Sequence, residues 1–93
     1  MKLLYVTPSH KLNKKYMAIF MIDDNLKITH FGDDRYEDFT MHRDTKRKQR
    51  YINRHQHENW DNPTSAGTLS RFLLWNKSTL IESIKDFKKR FNL

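Results

Sequence analysis

Apolar positions in this chain fall into three short β-like runs near the start and into helical spacing towards the end. Leu3–Thr7, Tyr16–Ile22 and Lys27–Phe31 are brief stretches of apolar and β-compatible side chains, and each is predicted to be a strand. Asp23, Asp24 and Asn25 tolerate tight turns, so Met17–Ile22 and Lys27–Phe31 read as the arms of a hairpin. Pro8 and the polar stretch to Lys15 form a looser connection. The run YMAIFMI is nearly all apolar, which predicts a central strand covered by helices on at least one face and partly on the other.

After His30-Phe31-Gly32 the pattern changes. Asp33, Asp34, Glu37 and Asp38 surround Tyr36 and Phe39 in what reads as a structured loop. A helix is predicted from Asp44 or Thr45 to about His57, followed by a loop through Asn62-Pro63, because proline disfavours helix in the residue before it. Thr64 or Ser65 caps a second helix that runs to about Asn76. Its Phe72-Leu73-Leu74-Trp75 are too many apolar neighbours for one face, so this segment is expected in the centre of the core. Gly67 near its start leaves room for another backbone. In the last helix Thr79-Leu80-Ile81-Glu82 fits a capping box, and Leu80, Ile84, Phe87 and Phe91 recur at helical spacing. That stripe is expected to pack on the strand Tyr16–Ile22. The whole reads as α+β: a small three-stranded antiparallel sheet at the N-terminus covered by about three C-terminal helices. It is a single domain over residues 1–93, β-rich in 1–31 and mainly helical in 44–92, with only a modest core.

Charge adds a direction to this picture. Lys and Arg number 18 against 11 Asp and Glu, for a formal charge of +7 and a pI near 9.8. The excess is densest in His42–Arg54, where Arg43, Lys46, Arg47, Lys48, Arg50 and Arg54 surround one carboxylate, Asp44. On a helical wheel Lys46, Arg47, Arg50 and Arg54 fall on one side and Tyr51, Ile52 and His55 on the other, as in a helix that docks by one face and offers charge on the opposite one. Guanidinium groups fork onto phosphate oxygens and stay charged at any physiological pH, so the six basic residues are the predicted contacts to DNA or RNA. No base-reading code accompanies them. Lys88, Lys89 and Arg90 close the last helix, where they complement its dipole without any ligand.

Other chemistry is thinly represented. Cysteine is absent, which removes disulfides, thiolate nucleophiles and Cys-ligated zinc. No apolar run approaches the roughly 20 residues of a membrane span, and MKLLYVTPSH is too short in its apolar part for a secretion signal, so the chain reads as soluble and intracellular. Its two glycines, Gly32 and Gly67, exclude a P-loop. His30, His42, Asp44, His55, His57 and Glu58 invite a metal-dependent nuclease, but His55 and His57 stand two apart and point to nearly opposite sides of a helix. No catalytic residue, metal ligand or cofactor is therefore predicted. Tyr36, Tyr51, Trp60 and Trp75 would stack on bases if exposed. Trp75 reads as core, whereas Trp60, in a polar loop after the basic helix, reads first as a staple of that loop and second as a stacking residue.

The order His30-Phe31-Gly32, then Tyr36 to Asp44, Arg47-Lys48, Arg50 to His55, Glu58-Asn59-Trp60, Asp61 to Thr64, Ala66-Gly67, Ser70-Arg71 and Leu74 to Lys77 resembles a family of small basic proteins of unknown function. These are encoded by nucleocytoplasmic large DNA viruses related to mimivirus and the phycodnaviruses. The resemblance covers about Lys15 to the C-terminus, and Ser78 stands where the family usually has proline. It implies a viral origin and a place in the virus factory of the host-cell cytoplasm or in the virion, and it brings no activity with it. Two function classes follow: a non-enzymatic nucleic-acid-binding protein, and a virion component such as a minor capsid or cement protein whose basic surface meets acidic virion proteins or lipid. The sequence gives no oligomeric state.

Overall fold

A computed structural model describes all residues from Met1 to Leu93. Three antiparallel strands, β1 (Lys2–Pro8), β2 (Lys14–Ile22) and β3 (Asn25–Asp33), form one sheet in that order. The β2–β3 hairpin closes on two residues, Asp23 and Asp24, with Ile22 opposite Asn25 and Asp23 at φ 52. Asn25 therefore belongs to the strand and not to the turn. Four helical segments follow, α1 (Phe39–His42), α2 (Thr45–His55), α3 (Ala66–Leu69) and α4 (Leu80–Arg90), with a π-helical stretch, Ser70–Leu74, continuing α3. The fold is α+β with the predicted order of sheet and helices. No helix is long and apolar enough to cross a membrane.

Caps explain where the helices begin. Asp44 accepts the backbone N–H groups of Lys46 and Arg47 at 2.9 and 3.2 Å, Ser65 accepts that of Thr68 at 3.3 Å, and Thr79 accepts that of Glu82 at 3.2 Å. Only this forward half of the expected capping box forms, since Glu82 is exposed and makes no return bond. Helix α2 stops at His55, two residues before its predicted end, and the supposed loop over residues 33–43 contains the turn α1, capped by Asp38. Asp38 takes bonds from Thr40 N–H (2.9 Å), Thr40 Oγ1 (2.5 Å) and Lys15 Nζ (2.5 Å) while 2 % exposed. This carboxylate is buried and saturated, not part of an acidic surface.

The core joins one face of the sheet to the C-terminal half. Leu3, Ala18, Phe20 and Phe31 meet Leu69, Phe72, Leu73, Leu74 and Phe87. Three consecutive buried residues, Phe72 to Leu74, exceed what one face of a regular helix can bury, and the π turn re-aims them all inward, with Trp75 N–H bonded to the Ser70 carbonyl at 3.1 Å. This segment packs on β3 and receives α4, so α4 docks chiefly on residues 70–74 and not directly along Tyr16–Ile22 as its stripe predicts. Gly67 faces the Glu58 carboxylate, 2.7 Å from where a Cβ would stand, and not another backbone. Gly32 is more constrained. It sits at φ +79, and a Cβ there would lie 2.8 Å from Leu74 Cδ1 and 3.3 Å from Lys15 Cβ. Gly32→Ala is expected to cost about 1–3 kcal/mol in a urea melt, from positive φ and overpacking together.

The opposite sheet face stays uncovered. Register places Tyr5, Met17, Ile19, Met21, Leu26 and Ile28 on it, with Tyr5 opposite Ile19 and Ile19 opposite Ile28. Tyr5, Leu26 and Ile28 are exposed, and none of the six joins the core. The expected partial helical cover of β2 on its second face is missing, because α2, α3 and α4 are all drawn to the larger aromatic surface on the other side.

Candidate nucleic-acid interface

Helix α2 docks by the stripe Lys48, Tyr51, Ile52 and His55 and turns Lys46, Arg50 and Arg54 to solvent. The docking is aromatic. Tyr51 lies parallel to Trp75, with ring centroids 4.4 Å apart and planes inclined by 6°, and His55 stacks on its other face at 4.3 Å. Glu58 holds His55 through Nδ1. Burial, and then the Glu58 carboxylate, push the Tyr51 hydroxyl up to about 12, so it is protonated at any physiological pH.

The six basic residues divide. Lys48 Nζ donates to the Asn76 carbonyl at 2.7 Å and lies 4.8 Å from the Phe39 ring centroid, and burial lowers its pKa. Its charge is committed inside the fold. Arg43, at φ 55 in the cap of α1, directs Nε to the Ser78 carbonyl at 3.3 Å. Arg47 meets Glu37 at 3.3 Å, both partly exposed. Lys46, Arg50 and Arg54 take part in none of the ion pairs of the chain.

Arg47, Arg50 and Arg54 line one side of a cleft of about 520 Å³ between α2, the end of β3 and the Ser70–Trp75 segment. Tyr51, His55, Leu74 and Trp75 contribute to its wall, and Tyr36, Glu37 and Gly32 to the facing side. Its acids are already paired: Asp38 with Lys15, Glu37 with Arg47, and Asp33 with Arg35. The Asp33 carboxyl is held at about 2 by the Arg35 side chain and backbone N–H. What remains unpaired in the cleft is cationic.

Trp60 lies elsewhere. Its ring meets Phe72 edge-on at 6.2 Å with the Arg71 guanidinium 5.4 Å away, and its Nε1 is buried without a partner. It staples its loop to the core, so the aromatics beside the arginines are Tyr36, Tyr51 and Trp75. Their spacing from Arg47 and Arg50 on α2 is visible in the sequence only for Tyr51. Lys15 and Gly32 come from the sheet and carry no local signal. His42 accepts the Asp44 N–H through Nδ1 at 2.9 Å, His55 is taken by Glu58 and His57 is exposed. No group of three acids or imidazoles stands where it could hold a metal ion.

Fold and cleft together define a small basic α+β protein that sets guanidinium groups beside aromatic rings. The chain belongs to DUF5754, a family of unknown function whose profile matches residues 4–55, from β1 to the end of α2. That match includes residues 4–14, which lie outside the resemblance read from the sequence, and ends before the Glu58–Lys77 motifs. No curated protein and no solved structure matches the chain.

Proposed function

We propose that the protein binds nucleic acid without catalysis and with little sequence preference, through phosphate contacts from Lys46, Arg47, Arg50 and Arg54. The observation that carries this reading is the pair Arg50 and Arg54, one helical turn apart on α2, without carboxylate partners and at the edge of a concave site. A formal charge of +7 supports it by drawing polyanions from a distance. Arg43 and Lys48 serve the fold first, by their bonds to Ser78 and Asn76.

A second reading has its own support. The uncovered apolar sheet face around Ile19 suits a structural or interaction protein. In a viral setting this would be a minor capsid or cement component of the virion, and either reading fits the virus factory in the host-cell cytoplasm. A salt titration separates them: labelled DNA and RNA should bind at low ionic strength, release steeply as salt rises, and remain uncut in magnesium, manganese or zinc. Failure to bind at low salt, with assembly seen by sedimentation, would transfer the argument to the sheet face. Cleavage abolished by Glu58→Ala in a folded variant would overturn the non-enzymatic reading.

A further inference from the structure

We propose that the cleft beside α2 receives one unpaired nucleotide, so that the protein prefers single-stranded nucleic acid over duplex. This rests on the nucleic-acid reading and adds the form of the ligand. The cleft, at about 520 Å³, is of a size that small-ligand sites have and admits a base with its sugar and phosphate. A duplex is a convex rod with its bases turned inward, so it reaches the rim and not the interior unless a base is flipped out.

The lining matches the parts of a nucleotide. Arg50 and Arg54 offer free guanidinium groups at the rim for the phosphates on either side of the inserted unit. Across the cleft Tyr36 is 69 % exposed although it is an aromatic residue in a chain short of core, and its ring is open to stack on a base. Tyr51 and Trp75 play a different part. Each covers a face of the other, and His55 covers the second face of Tyr51, so they form a fixed wall. The protonated Tyr51 hydroxyl is a donor for a base edge. Gly32 lines the cleft with backbone alone, packed so closely on Leu74 and Lys15 that a Cβ there would crowd both.

Glu37 holds Arg47 at 3.3 Å and so competes with an incoming phosphate for that guanidinium.

The test is fluorescence anisotropy with a labelled single strand about ten nucleotides long and with its duplex, at equal salt. The single strand should bind about tenfold or more tighter; Tyr36→Ala should remove about tenfold from single-strand binding and leave duplex binding unchanged. Glu37→Gln should tighten single-strand binding several-fold. Tyr36 and Glu37 are exposed, so neither substitution should disturb the core, and a thermal melt of each variant checks that it keeps the fold. Equal affinity for the two forms would overturn the single-strand proposal while leaving phosphate binding in place. A single-strand preference indifferent to Tyr36→Ala would overturn the cleft as its seat. Binding of neither form would overturn this proposal and the proposed function together.

Discussion

Replacing Lys46, Arg47, Arg50 and Arg54 together by Gln is expected to lower the log–log salt slope of duplex binding by about three to four units, since each neutralised phosphate contributes about 0.9. Between 50 and 200 mM salt, four such contacts account for roughly a 100-fold loss of affinity, which the variant should no longer show. Glutamine keeps the helix propensity of the residues it replaces, and the one ion pair lost, Arg47 with Glu37, lies at the surface where such pairs contribute about 1 kcal/mol or less. Folding should therefore survive. Lys48→Gln is the matched control. Its ammonium is spent on the Asn76 carbonyl, so the variant should lose stability and keep the slope. Anisotropy titrations in which the quadruple variant binds as the wild type does, at low and at moderate salt, would remove α2 as the phosphate-binding element.

That control was not legible in the sequence. Six basic residues in His42–Arg54 look equivalent on charge alone, and a helical wheel separates Lys46, Arg47, Arg50 and Arg54 from Tyr51 and His55. It cannot report that the Lys48 ammonium finds a carbonyl twenty-eight residues away. The same limit applies to Trp60 and Trp75: their immediate neighbours in the chain do not determine their environments, which are set by Phe72 for Trp60 and by Tyr51 of α2 for Trp75. Local signals did well where the cause is local. Asp44, Ser65 and Thr79 cap because their side-chain oxygens reach backbone N–H groups two or three residues on, and the β2–β3 turn closes because Asp23 accepts a positive φ. The cleft has a non-local cause. It exists because the loop after β3 carries Tyr36 and Glu37 out to face α2, and because Lys15 reaches across from β2 to neutralise Asp38 beneath them.

Phe87→Ala should cost about 3–5 kcal/mol in thermal or urea unfolding, against about 0.5 kcal/mol or less for Lys85→Ala on the opposite, exposed face of α4. Phe87 is fully buried, with its centroid 4.9 Å from Phe91, which in turn meets Phe72 at 5.8 Å. The three rings tie α4 to the π segment and, through Phe72 to Leu74, to the sheet. A domain of this size has about 5–15 kcal/mol of stability in all, so emptying that position removes a large share of it. The loss reaches the cleft as well. Asn76 joins the two regions, giving its side-chain amide to Asp86 of α4 at 2.6 Å and its carbonyl to Lys48 of α2 at 2.7 Å. Loosening α4 should thus release Asn76 and with it the docked face of α2 against Trp75. A Phe87→Ala variant as stable as Lys85→Ala would mean that α4 contributes little to the isolated chain, and that its apolar stripe is satisfied by a partner.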